Sequence, residues 1–122
     1  MLNDKSMARL KGVDTRLVAV IGAAALSCPL EFQVTEGVRS LARQQMLFDA
    51  GKSRTLESKH LFGLAVDVHV LINGVANWDF KNYAVVNEHV QKAAAHFGVS
   101  VKWGGNFPTF KDGPHFELVL KG

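Results

Sequence analysis

Apolar residues along this chain recur at two spacings, and the change from one to the other predicts its elements. Leu17, Val20, Ile21, Ala24 and Ala25 fall at helical intervals. Asp14 stands at a favourable N-cap position and Pro29 blocks continuation, so a helix is expected over residues 14–27. Residues 31–35 alternate polar and apolar, as a half-buried strand does, until Glu36 and Gly37 break the pattern. A second helix is expected over 41–50, capped by Ser40 and ended by Gly51. The polar run 52–59 reads as loop. Residues 64–70 then alternate cleanly: Leu64, Val66, Val68 and Val70 point one way, and Ala65, Asp67 and His69 the other. Asn73 and Gly74 signal a turn. A third helix fits 82–97, with Val86, Val90, Ala93 and Phe97 on one face and Gly98 at its stop. Two short strands, near 99–103 and 115–120, flank a loop rich in Gly, Pro and Asn. The pattern is that of an α+β domain, with about three helices packed on a small antiparallel sheet.

Composition narrows the function classes. A length of 122 residues suits one domain, and 48% apolar with 20% charged residues is a globular balance. A chain of this size removes roughly two-thirds of its unfolded surface from water, enough for a core without disulfides. Cys28 is the only cysteine, which excludes a disulfide framework and a multi-cysteine metal knuckle. A bound metal must therefore draw mainly on the five histidines and the carboxylates. The net charge of +3 is spread along the chain, with no like-charge run or arginine-rich arm. Nucleic acid is not an expected partner, whereas an anionic cell envelope suits the charge. Residues 1–6 lack the apolar core of a signal peptide, and the most apolar stretch, 17–26, falls short of the ~20 residues that span a bilayer. The expectation is a monomeric chain made in the cytoplasm, without membrane insertion.

Three segments place polar residues where a bland fold would not need them. In residues 58–67, His60 precedes a glycine turn and Asp67 stands within an apolar strand. A carboxylate there is costly unless paired, hydrogen-bonded or bound to a cation. In residues 112–117, His115 opens the final strand three residues after Asp112. In residues 36–40, Arg39 sits alone between strand and helix. Two histidines and an aspartate make a sound zinc set with a fourth position left for water, whose pKa the metal lowers toward ~7. A further carboxylate is then needed to move protons, and an arginine to stabilise an oxyanion. The sequence supplies one candidate for each role.

Ser58-x-His60-x-x-Gly63-x-Ala65-x-Asp67 followed by Asp112-x-x-His115 resembles the zinc-dependent D-Ala-D-Ala peptidase family. That family includes D-alanyl-D-alanine carboxypeptidases, the dipeptidases of vancomycin resistance and phage endolysins. Residues 35–44, 47–51, 103–105 and 114–118 extend the likeness, which is strongest to phage L-alanyl-D-glutamate peptidases. The resemblance implies a fold shared with hedgehog-type domains, a single catalytic domain over residues 1–122, and Zn2+ held by His60, Asp67 and His115. It implies Asp112 as general base and then acid, and Arg39 as the substrate or oxyanion contact. Some members carry Glu in place of Asp112, and the shorter side chain favours the endolysin branch. The implied substrate is bacterial peptidoglycan, cut at L-Ala–D-Glu after release from the host cytoplasm through a membrane lesion.

Several residues keep two readings. Asp112 is also a plausible turn residue, and Arg39 a salt-bridge partner for Glu36 or Asp112. Gln44 either touches substrate or holds the arginine or the loop in place. Ser58 belongs with the substrate-contact candidates. Trp103 either lines the cleft or sits in the core. His69 is expected at the edge of the site or orienting Asp67. Glu117 either hydrogen-bonds a histidine ring or is a solvated strand residue. The competing functions are a D-alanyl-D-alanine carboxypeptidase, a non-catalytic metal-binding module, and a ferrous oxygenase. The last fits poorly with a short α+β chain.

Overall fold

The computed structural model describes residues 1–53, 55 and 58–120. Its elements run α1 (Asp4–Arg9), α2 (Thr15–Ser27), β1 (Glu31–Glu36), α3 (Leu41–Asp49), β2 (Ala65–Ile72), β3 (Val75–Asn77), α4 (Phe80–Phe97), β4 (Ser100–Trp103) and β5 (His115–Val119). Single 3₁₀ turns lie at Lys59–Phe62 and Gly104–Asn106. The antiparallel sheet is ordered β1-β2-β5-β4, with β3 paired to the far end of β2.

The helix caps are those expected from sequence. The Asp14 and Ser40 side chains accept from backbone N–H groups at the starts of α2 and α3, and Gly98 closes α4 in the left-handed conformation. Two elements depart from the sequence pattern. The first is α1, too short for an apolar period. It covers the outer edge of β1 with polar groups: the buried Ser6 hydroxyl accepts from Val34 N (2.8 Å), and Arg9 donates to Val34 O (2.9 Å). The outward-facing backbone groups of Val34, at the middle of an edge strand, are thereby satisfied. The second is β3, three residues that form a hairpin on β2 through Asn73 and Gly74, both at positive φ. Among the described residues the α-helices therefore number four, one more than the periodicity predicts.

Alternation along the strands separates the two faces of the sheet. Val34, Val66, Val68, Val70, Phe116 and Leu118 face one way and are buried. Ladder partners confirm a common face: Val34 stands opposite Val68, and Val66 opposite Phe116. Leu17, Val20 and Ile21 of α2 and Val86 and Val90 of α4 complete that core. The other face carries Glu36, Asp67 and His115 in a single row across β1, β2 and β5, with Glu117 and Lys102 paired in the neighbouring row. Packing one face thus presents polar side chains on the other at fixed separations. Among the described residues no helix is long and apolar enough to cross a membrane.

Candidate active site

A cavity of about 580 Å³ opens over this polar face. His60, Asp67, Asp112, His115, Arg39, Ser58 and Glu117 line it. Asp67 and His115 arrive from the two central strands and are directly opposed. His60 arrives from the Lys59–Phe62 turn. That turn is capped by the Ser58 hydroxyl, which accepts from His60 N, and is ended by Gly63 at φ 69°. A side chain at Gly63 would also place its Cβ 2.6 Å from Gly12 O, so the glycine next to the histidine has a steric reason.

The three side chains converge on one point. Asp67 Oδ1 lies 3.2 Å from His60 Nε2 and 3.1 Å from His115 Nδ1. One potential ligand atom from each residue lies within 4.8 Å of the others. A tetrahedral zinc ion with bonds of about 2.0–2.1 Å sets its donors roughly 3.3 Å apart, so the group fits this metal. The remaining ring nitrogens support the same arrangement. His60 Nδ1 is 2.9 Å from Gly37 O, a carbonyl that only accepts, so Nδ1 carries the hydrogen and Nε2 is directed inward. His115 Nε2 is 2.9 Å from Glu117 Oε1, which leaves Nδ1 facing Asp67. Such outer hydrogen bonds fix the tautomer and orientation of a metal-ligating histidine.

Electrostatics follow from this crowding. Burial pushes the Asp67 carboxyl up, but hydrogen bonds from His115 and His60 outweigh it and hold the group well below the usual carboxylate range. Burial lowers His115, yet Asp67 and Glu117 on its two sides raise it to about 9. Glu117 is opposed by burial but is held at about 2 by His115 and by Lys59, whose Nζ lies 2.9 Å from Oε2. Asp112 behaves differently. Burial, reinforced by the negative charge of Asp67, raises its pKa. A carboxyl raised toward neutrality is suited to both taking and giving a proton. Its backbone is fixed on both sides: its N–H donates to Gly104 O and its carbonyl accepts from His115 N.

Arg39 is largely buried beside the same centre. It pairs with Glu36, lies 3.6 Å from Asp67 Oδ2, and donates from Nη1 to Gln44 Oε1 at 2.8 Å. Its backbone N–H donates to His60 O, while the His60 ring binds Gly37. The arginine segment and the histidine turn therefore hold each other. Gln44 is fully buried and donates to Ser53 Oγ and Thr55 O, so it ties the arginine to the next loop rather than lining the cavity.

Two expected site residues lie elsewhere. Trp103 is buried, donates from Nε1 to Gly113 O at 2.7 Å and packs against Phe80; it is absent from the cavity lining and belongs to the core. His69 shares the face of Asp67 but sits edge-on to Trp78, with centroids 5.7 Å apart. It neither lines the cavity nor hydrogen-bonds Asp67, because the next position on that face is one strand repeat farther along β2. Glu36 is the salt-bridge partner that Arg39 takes, as one reading of the sequence has it, and Lys59 gains a supporting position beside Glu117 that the motifs did not single out. Phe107 and Phe110 line the cavity from an irregular loop that carries no periodic signal.

Comparison with known proteins points the same way. Residues 1–119 match the profile of the phage L-alanyl-D-glutamate peptidase family. The peptidoglycan L-alanyl-D-glutamate endopeptidase CwlK of Bacillus subtilis is 29% identical over 110 residues, covering 80% of this chain and 66% of that protein. The chain thus spans just under two thirds of that relative's length. The L-alanyl-D-glutamate peptidase of Escherichia phage T5 is 26% identical, covering 91% of this chain and 92% of that one. The crystal structure of the Serratia marcescens L-Ala D-Glu endopeptidase ChiX superposes with a TM-score of 0.92 at 43% identity, over 98% of this chain and 90% of that one.

Proposed function

The chain belongs to the phage L-alanyl-D-glutamate peptidase family, and from that premise we propose that it is a zinc-dependent peptidase that hydrolyses the L-Ala–D-Glu bond of peptidoglycan. The observation that carries this reading is the convergence of His60, Asp67 and His115 on one point of a cavity that Asp112 also lines. The donor set suits zinc, which when bound supplies an acidified water and polarises the scissile carbonyl. Asp112 takes the proton of the attacking water and passes it to the leaving amine. Arg39, held by Glu36 and Gln44, offers positive charge to the oxygen that becomes anionic. Glu117 keeps His115 in the tautomer that turns Nδ1 inward. Ser58 and Arg39 are the substrate contacts at the cavity wall.

Digestion of purified peptidoglycan, followed by mass spectrometry of the fragments, tests the reading. Fragments with a new amino-terminal D-Glu are expected. Release of free D-alanine in their place would assign the chain to carboxypeptidase chemistry. Asp112→Ala is expected to retain metal and lose about 10²- to 10⁴-fold in kcat, the usual worth of a positioned acid–base group. Full activity in that variant refutes the mechanism.

A further inference from the structure

The polar face holds cations that neither the metal-binding group nor its supporting pairs use. Among the described residues, four lysine and arginine side chains line the cavity: Arg39, Arg43, Lys52 and Lys59. Three are committed to carboxylates, Arg39 and Arg43 to Glu36 and Lys59 to Glu117. Lys52, just beyond α3, is exposed and pairs with no carboxylate among the described residues. A second such group stands on β4. Lys102 is directly opposite Glu117 in the ladder, which puts it on the same face as His115. Its Nζ lies 5.3 Å from the centroid of the Phe107 ring, and that ring lines the cavity 5.7 Å from His115. It too pairs with no carboxylate among the described residues. Three carboxylates of the site, by contrast, are turned to partners: Glu36 to two arginines, Asp67 to two histidines, Glu117 to His115 and Lys59; Asp112 is the proposed proton carrier. A ligand entering the cavity therefore meets the Lys52 ammonium on the α3 side, while Lys102 stands behind the lining, over the Phe107 ring.

We propose that Lys52 and Lys102 are specificity-determining residues that bind the free carboxylates of the stem peptide. The inference rests on the peptidase reading. In an L-Ala–D-Glu unit the glutamate amine lies in the scissile bond and only one of its two carboxyls continues the chain. The other is a free anion on the leaving residue. Converting that carboxyl to an amide removes its charge and leaves its shape nearly unchanged, which makes the charge testable by itself.

The test uses soluble stem peptides containing the L-Ala–D-Glu bond, in free-acid and amide forms, cut by the zinc-loaded protein across a range of salt concentrations. The wild type is expected to prefer the acid, with a KM that rises with salt as exposed charge is screened. Lys52→Gln and Lys102→Gln each raise KM for the acid about two- to fivefold, the range for exposed ion pairs. The double variant loses both the acid preference and the salt response, while Lys92→Gln on α4 changes neither. A double variant that keeps the preference overturns the proposal. So does a defect seen only on intact walls, which would assign the lysines to another wall anion. A wild type that cuts neither peptide refutes the peptidase reading instead. Titrating the acid peptide into wild type and double variant then decides the lysines separately, and equal affinity overturns their role.

Discussion

Gln44 is the side chain on which the wall of the cavity depends, and replacing it with methionine isolates that dependence. Methionine has nearly the same length and volume, so no cavity opens and only the polar contacts are lost. Three hydrogen bonds disappear: one accepted from Arg39 and two donated to Ser53 and Thr55. A neutral bond contributes about 1 kcal/mol and one to a charged group about 1.5–3 kcal/mol, and water reaches the exposed loop side. The expected loss is therefore about 2–4 kcal/mol. With an unfolding entropy of about 2.1 cal/mol/K per residue, a chain of this length loses roughly 4 °C per kcal/mol, or about 8–15 °C in Tm. Because Arg39 keeps Glu36 but not its second anchor, kcat/KM is expected to fall roughly ten- to a hundredfold. Gln44→Glu provides the contrast. It still accepts from Arg39 but presents an oxygen to Thr55 O, so it lowers Tm while preserving more of kcat/KM. Thermal unfolding and steady-state kinetics on the three proteins decide the matter. A Gln44→Met protein within about 2 °C of wild type and with unchanged kcat/KM refutes the argument.

Three further outcomes follow from the site geometry. Glu117→Ala releases the His115 ring and should weaken zinc about 10- to 100-fold in competition with a chelator, while Glu117→Gln, whose amide oxygen still accepts, recovers most of the loss. Glu36 is raised by burial but lowered further by Arg39 and Arg43, for a net downward shift. Its stabilisation is therefore fully present above the unfolded value near 4.5 and is lost as pH falls through the lower folded value. The acid limb of Tm against pH should be shallower in Glu36→Gln, and identical limbs would show that the pair contributes nothing. A Cβ at Gly104 would lie 2.3 Å from Asp112 O and 2.9 Å from His115 Cβ. Gly104→Ala should cost about 1–3 kcal/mol by overpacking and lower kcat through the displaced Asp112, whereas unaltered kinetics would mean that this backbone yields freely.

The features legible in the sequence are those with a local cause. The alternation of 64–70 announces both β2 and the exceptional placement of Asp67, because a period of two gives each residue a face. Asp14, Ser40 and Gly98 mark helix ends through bonds and dihedrals a few residues long. The features that the sequence does not show depend on distant partners. The role of α1 rests on Ser6 and Arg9 meeting Val34, 28 and 25 residues away. Trp103 gives no hint of core or cleft until Gly113 and Phe80 are placed beside it. His69 and Asp67 look equivalent by alternation, yet only Asp67 has a histidine directly across the ladder. Glu36 reads as the residue that ends a strand. Its pairing with Arg39 three residues on is one reading of the sequence, but its second bond, from Arg43, appears only when α3 is placed beside the end of β1.

The site consists of two halves with different mechanical support. Asp67 and His115 stand on β2 and β5, between Val66, Val68 and Phe116, all fully buried, so their separation is set by close-packed core. The arginine side has no such foundation. Within α3 only Gln44 is buried, while Leu41 and Met46 are 77% and 66% exposed. This helix is held by Gln44 with Arg39 and by Arg43 with Glu36, so the bonds that fasten the wall are the bonds that orient Arg39, the proposed oxyanion contact. Apolar packing can be repaired by another residue of similar volume, but a hydrogen-bonded clamp on a guanidinium needs particular atoms in particular places. Substitutions in the core should therefore change stability first and activity only as the fold is lost. Substitutions among Glu36, Arg39 and Gln44 should change both together.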